Sequence, residues 1–166
     1  VDDPTAAGGD AMTRPPVTTV RRLGTADVEE ARRLFLLMAD VFENATEPLG
    51  DGYLTRMLGS EAFWALAAYL DGDLVGGLTA HTLPMTVRET TEVFIYDVAV
   101  RETHQRRGVG RALMAEMCAL AAASGAKVVF VPADNEDTHA LDFYRAVGGA
   151  SAPVTIFTFG DEDEGA

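Results

Sequence analysis

The chain has 166 residues, 26 acidic against 13 basic side chains, a formal net charge of -13 and a pI near 4.5. That length suits one domain with one sizeable core, and 48% hydrophobic residues with a mean hydropathy of +0.06 argue against global disorder. The acidity speaks against nonspecific binding to nucleic acid or an anionic membrane, which needs a cationic surface, and for a cationic partner.

Residues 1–16 are rich in Asp, Gly, Ala, Thr and Pro and lack hydrophobic periodicity. They read as a disordered leader, with Met12 an alternative start. Val17–Arg21 is a short strand candidate. Thr25 then looks like a helix N-cap, with Asp27, Glu29 and Glu30 in the first turn, where acids suit the helix dipole. Val28, Ala31, Phe35, Met38 and Phe42 recur at three- and four-residue steps, the pattern of an amphipathic helix. A shorter helix carries Tyr53, Leu54, Met57 and Leu58. Glu61–Leu70 and Leu74–Leu83 read as two strands joined by an Asp-Gly turn. After the polar break Arg88-Glu89-Thr90, residues Thr91–Val100 form another strand. Gly108–Ser124 is a helix stopped by Gly125. Lys127–Val131 is a continuous apolar strand of the buried kind, ended by Pro132, which has no N–H to donate. Thr138–Val147 is helical up to Gly148-Gly149, and Val154–Gly160 closes the chain as a final strand. Residues 161–166 form a short acidic tail that should stay solvated. The pattern is a mixed α/β sheet with helices on its faces, in one domain over residues 17–160.

The segment Gln105-Arg106-Arg107-Gly108-Val109-Gly110-Arg111 follows a strand and opens a helix. Backbone N–H groups and the helix dipole favour a phosphate there, and the glycines permit close approach. Residues 17–160 hold 19 acids and 12 bases, a net of -7, yet residues 101–111 are +3. The loop is neither a Walker loop, since no Gly-Lys-Ser/Thr follows, nor a dinucleotide fingerprint, since Leu113 takes the third glycine position.

With Ala140-Leu-Asp-Phe-Tyr-Arg-Ala-Val-Gly about 30 residues on, this loop resembles the signature of the GNAT superfamily of N-acetyltransferases. The resemblance implies a GNAT fold: a mixed, mostly antiparallel sheet of about six to seven strands, about four flanking helices, and splayed fourth and fifth strands. It implies acetyl-CoA as donor and no metal. The pyrophosphate would lie on Gln105, Arg106, Arg107, Gly108, Val109, Gly110 and Arg111, and the pantetheine arm on the backbone of Val98, Ala99 and Val100. Tyr144 would protonate the departing thiolate; a place at the helix–sheet interface is the other reading of that tyrosine. The helix ends Gly148-Gly149-Ala150, where the family often has Gly-Phe.

Phe63-Trp-Ala-Leu-Ala-Ala-Tyr, Glu92-Val-Phe-Ile-Tyr-Asp-Val-Ala-Val and Val131-Pro-Ala-Asp resemble the aminoglycoside 3-N-acetyltransferases of the GNAT type more closely. The acidic stretch Asp134, Glu136 and Asp137 also matches that group, although Asn135-Glu136-Asp137-Thr138 is not its usual spelling. Strand alternation puts Glu92, Tyr96 and Val98 on one face and Val93, Ile95 and Asp97 on the other. A carboxylate among apolar neighbours needs a reason, because an unpaired buried charge is costly. The resemblance supplies one by placing Asp97 beside the acetyl group, which implies that it is the base, holding the substrate ammonium and taking its proton; the other reading is a hydrogen-bonded structural carboxylate. Glu92 is a second candidate, or a solvated residue at the strand start. Asp40, Glu43, Glu47 and Asp51 on one side, and Asp134, Glu136, Asp137 and Asp142 on the other, suit a polycationic acceptor as a set. Singly, each could be a solvated surface charge.

Other chemistry finds little support. His81, His104 and His139 have no metal-ligand spacing, and no Gly-x-Ser-x-Gly elbow backs a serine triad. The one cysteine, Cys118, allows no intramolecular disulfide and no cysteine-based zinc site, and reads as a core residue. No apolar run approaches the roughly 20 residues that span a bilayer, and Val1-Asp-Asp-Pro has no signal-peptide character. The expectation is a cytoplasmic, homodimeric aminoglycoside N-acetyltransferase that binds neither nucleic acid nor membrane. The alternatives are a GNAT enzyme of another polyamine or small amine, and a non-catalytic acyl-CoA-binding module.

Overall fold

A computed structural model describes residues 17–160; the expected leader and acidic tail lie outside the described residues. The chain divides after Pro132 into two compact units. The first holds strands β1 (Thr18–Arg22), β2 (Phe63–Leu70), β3 (Asp73–Pro84), β4 (Thr91–Val100) and β5 (Val128–Phe130). It also holds helices α1 (Val28–Val41), α2 (Asp51–Leu58) and α3 (Val109–Ala123), with a single 3-10 turn at Glu102–His104. The second unit holds α4 (Thr138–Ala146).

The strands form one sheet in the order β1-β2-β3-β4-β5. Neighbours are antiparallel except β4 and β5, which run parallel. A parallel pair cannot be closed by a hairpin and needs a crossover, which α3 supplies. Between β2 and β3 the expected two-residue turn forms, with Asp71 at φ 52° and Gly72 at φ 94°. Positive φ at both central residues is the hairpin turn whose twist matches the strands.

Both faces of the sheet are covered, which is why β2 (FWALAAYL) is apolar without alternation. On one face Leu66, Leu78, Val93 and Ile95 pack with Val109, Leu113, Met117 and Ala121, a four-residue stripe along α3. On the other, Ala65, Ala67 and Ala99 pack with Leu34, Leu37 and Met38 of α1 and Leu54 and Leu58 of α2. The close seat of α1 depends on Gly77: a Cβ there would lie 2.3 Å from Leu34 Cδ1 and 2.8 Å from the Leu66 carbonyl.

Four expectations change. Asp27, not Thr25, is the N-cap of α1, because its carboxylate accepts from the Gly24 N–H and pairs with Arg21 at 2.6 Å, which orders the turn before the helix. The sheet has five strands rather than six or seven among the described residues. Val154–Gly160 is not a strand, since it has no ladder partner. Consequently Val128–Phe130 is an edge strand rather than a buried one: Val128 is 46% and Phe130 40% exposed, and Val129 alone of the three packs on the core. Among the described residues no helix is long and apolar enough to cross a membrane.

Candidate active site

The register of β3 against β4 shifts in mid-strand. Thr79 lies opposite Asp97 and Ala80 opposite Ile95, so Tyr96 is an extra residue, a β-bulge. The alternation expected from the sequence therefore fails at this point. Val93 and Ile95 are fully buried on the α3 side, where Val98 and Val100 also pack, whereas Ala99 belongs to the α1–α2 side. Asp97, two residues before Ala99, shares the α1–α2 side and not the side of Val93 and Ile95. One inserted residue reverses the sense of every side chain after it.

Asp97 is half-buried, and its Oδ2 accepts a hydrogen bond from Thr79 Oγ1 at 3.0 Å. Burial pushes the carboxyl above the ordinary carboxylate range; the Thr79 hydroxyl and nearby His81 pull against that shift without cancelling it. Oδ1 accepts no hydrogen bond among the described residues. No buried side-chain oxygen there is left unpaired, so Oδ1 reaches solvent. Around this carboxylate runs a chain of rings across β2, β3, β4 and β5. Phe63 and His81 are 5.3 Å apart, His81 and Tyr96 6.0 Å, Phe94 and Tyr96 5.8 Å, and Phe94 and Phe130 5.4 Å. Glu92 lies at the other end of β4, about 16 Å along the strand at ~3.3 Å per residue, too far to act on the same proton. Thr79 and His81 were not singled out by the sequence reading, although their two-residue spacing along a strand is the signal that puts both on one face.

The β4–β5 ladder has the rungs Glu92–Val128, Val93–Val129 and Phe94–Phe130, and there it stops. Among the described residues, 95–100 of β4 have no strand partner on that side, so the fourth and fifth strands diverge, as the family resemblance implied. The Arg101 N–H donates to the Val75 carbonyl at 2.9 Å. By antiparallel alternation Ala99 then turns its backbone groups to β3, while Val98 and Val100 turn theirs to the open edge. Gln105 Nε2 donates to the Val100 carbonyl at 3.2 Å and folds the following loop against the strand end.

In that loop Arg106 (φ 62°) and Gly108 (φ 84°) adopt left-handed conformations. Gln105, Arg106, Arg107 and Gly108 are exposed, while Val109 is buried and anchors the first turn of α3. Gly108 is the N-cap and supplies no side-chain cap, so the first N–H groups of α3, from Val109, Gly110 and Arg111, face out of the helix end. Arg106 and Arg107, both exposed, precede them in the loop, and outward N–H groups with nearby positive charge are an arrangement that favours an anion.

The predicted acceptor acids divide. Asp40, Glu43 and Glu47 are exposed and lie on α1 or the loop after it, on the face of the sheet that Asp97 occupies. Asp51 is engaged by Arg32, which also pairs with Glu29 and donates to the Leu49 carbonyl, so it staples α1 to the start of α2. In the second unit Asp137 caps α4 by accepting from the Ala140 N–H at 2.9 Å. Asp134 accepts from the Glu136 N–H at 2.9 Å, and Asp142 pairs with Arg145 at 3.3 Å. Glu136 is exposed. Tyr144 lies on α4 with its ring 5.2 Å from that of Phe143. Cys118, expected in the core, is exposed on α3, because the buried stripe runs through Val109, Leu113, Met117 and Ala121. Among the described residues no group of three His, Cys, Asp or Glu side chains could hold a metal ion.

A strand edge left open by its parallel neighbour, leading into an arginine-rich turn at an uncapped helix start, defines the class. The model of the acetyltransferase (GNAT) family matches residues 29–148, and the chain belongs to that family. Within it, the chain is similar to an aminoglycoside acetyltransferase from an uncultured soil metagenomic sample, at 34% identity over 88% of this chain and 99% of that one, with a TM-score of 0.82. A second aminoglycoside acetyltransferase from such a sample, solved in complex with sisomicin, is 31% identical over 87% of this chain and 97% of that one, with a TM-score of 0.83. The ribosomal-protein-alanine N-acetyltransferase of Brucella melitensis biovar Abortus 2308 shares the fold, at 21% identity over 87% of this chain and 100% of that one, with a TM-score of 0.70. No match is found among curated proteins.

Proposed function

We propose that this acetyltransferase moves acetyl from acetyl-CoA to an amino group, expected to be the 3-amino group, of an aminoglycoside antibiotic, and thereby confers resistance. The observation that carries the reading is Asp97, a half-buried carboxylate with one oxygen tied to Thr79 and the other open to solvent, beside the edge of β4 that β5 leaves free. The substrate class is supported by the aminoglycoside acetyltransferases at 34% and 31% identity.

The residues present fit the donor. Gln105, Arg106, Arg107, Gly108, Val109, Gly110 and Arg111 would hold the pyrophosphate through backbone N–H groups and charge. Val98 and Val100 would offer backbone groups to the pantetheine arm. Acetyl-CoA supplies an acetyl group activated as a thioester. On the acceptor side an ammonium has no lone pair, so it must lose a proton before it attacks. Asp97 Oδ1 would hold the ammonium and take that proton, directly or through a water. The amine nitrogen then bonds to the acetyl carbon as the carbon–sulfur bond breaks, the nitrogen gives its second proton to water, and the thiolate takes a proton up as it leaves. Asp40 and Glu43 would hold further ammonium groups of the same substrate. Acetylation removes a cation that such a drug uses to bind ribosomal RNA.

The test follows thiol release from acetyl-CoA with sisomicin, a gentamicin-type aminoglycoside, spermidine and a peptide, with the product's acetylated position read by NMR. Release with the aminoglycosides, and a product acetylated at the 3-amino group, is the expected result. No release with any aminoglycoside overturns the reading, and turnover confined to spermidine moves the enzyme to another polyamine.

A further inference from the structure

Among the described residues Thr79 is the buried polar side chain of the first unit, 6% exposed, and the acetyl transfer outlined above makes no use of a hydroxyl there. Its strand neighbours Leu78 and Ala80 are fully buried, and Ala65, its partner on β2, is 1% exposed. A hydroxyl in such surroundings costs free energy unless it is hydrogen-bonded, and a valine of the same shape would fill the space. The Thr79 hydroxyl spends its proton on Asp97 Oδ2 at 3.0 Å.

We infer that Thr79 is the positioning residue for Asp97, fixing Oδ2 so that Oδ1 alone is presented to the acceptor's ammonium. This rests on Asp97 being the base. Two features built into β3 and β4 produce the arrangement. The bulge at Tyr96 sets Asp97 opposite Thr79; without it the regular register would set Asp97 opposite Leu78. The β-branched threonine is stiff at χ1, so its oxygen is a fixed point for the carboxylate to bond.

The groups around Asp97 leave Thr79 as its hydrogen-bond donor. From β3 come Thr79 and His81, from β4 Tyr96, and from β2 the ring of Phe63, while α1 and α2 give this face Leu34, Leu37, Met38, Leu54 and Leu58. The edge strand β5 adds the Phe130 ring, which carries no titratable group. Donation from Thr79 stabilises the ionised, proton-accepting form against burial.

The experiment measures kcat/KM for an aminoglycoside against pH, at saturating acetyl-CoA, in the full chain and in T79V, T79S and D97N. Loss of the donor leaves burial unopposed except by His81, so the acid limb of T79V moves to higher pH by about one unit. T79S, which keeps the donor, returns the limb to its original place. If T79V does not fold, T79A is the second donor-free variant and must move the limb the same way. An unmoved limb in the donor-free variant, or an equal shift in T79S, overturns the role of Thr79. If D97N keeps the full activity and profile of the parent, the base assignment itself falls, and Thr79 with it. A D97N collapse together with an unmoved T79V limb removes Thr79 alone.

Discussion

Residues 91–95 and 97–100 of β4 belong to one strand, but they follow opposite alternations because Tyr96 stands between them as an extra residue. The first half pairs with β3 and, over Glu92–Phe94, with β5, and it puts Val93 and Ile95 into the α3 core, so its side chains hold the sheet together. The second half keeps β3 but loses β5, turns Asp97 to the α1–α2 face, and turns the backbone groups of Val98 and Val100 to an open edge, where the Val100 carbonyl accepts from Gln105 Nε2. A strand in which every group is satisfied by other strands has nothing left to offer a ligand. Giving up one neighbour and inserting one residue converts the same strand from framework into the proposed site.

Substitutions in the two halves should separate activity from stability. Asp97→Asn is expected to lower kcat by about 10²- to 10⁴-fold, the usual worth of a general base, with the fold intact by circular dichroism. Exchanging both Arg106 and Arg107 for Ala should raise the KM for acetyl-CoA by about tenfold or more through lost charge-assisted contacts, with little change in kcat. High salt should narrow that gap, which steady-state kinetics at two ionic strengths will show. In the framework half, Val93→Ala should cost about 1.5–3 kcal/mol of stability in a denaturant titration while leaving the KM for both substrates in place.

The smallest effect is on stability and concerns Asp97 again. Its pKa is raised in the folded chain, so folding favours the protonated form. The stabilisation is present below the unfolded value and is lost as pH rises through the folded one. Asn does not titrate, so Asp97→Asn should melt a few degrees above the parent at pH 7, with the advantage fading towards pH 4. An advantage that does not change with pH would mean that the carboxylate is not strained by burial.

The turn and helix start at Gln105–Arg111 were legible because their signals are local. Gly108 and Gly110 after a strand, with Arg106 and Arg107 beside them, encode a turn and a helix start within seven residues. Most helices and strands were equally readable, since periodicity and the Asp71-Gly72 turn act over short spans. The face of Asp97 was not, because the bulge is set by how β4 meets β3 and leaves no mark in Phe94-Ile95-Tyr96-Asp97. The same limit hid the partner of Thr79, 18 residues away in the chain, and the exposure of β5. Val128, Val129 and Phe130 look like a buried strand when a second neighbour is assumed, and the fold supplies one neighbour alone. The local carboxylates Asp134, Asp137 and Asp142 turned out to serve turns, a cap and an ion pair, choices that depend on backbone geometry rather than composition.

The bulge also gives β4 one residue that the ladder with β3 does not pair. A library that exchanges Tyr96 for each other amino acid still keeps the count of residues between Ile95 and Thr79's partner, and so keeps the orientation of everything downstream. Removing that one position puts Asp97 directly after Ile95, so even alternation still sets it opposite Thr79 on the α1–α2 face, and what is lost is the local bend and twist of the bulge. For this strand a deletion at position 96 therefore separates the bend that the bulge adds from the facing of Asp97, which the shortened strand keeps.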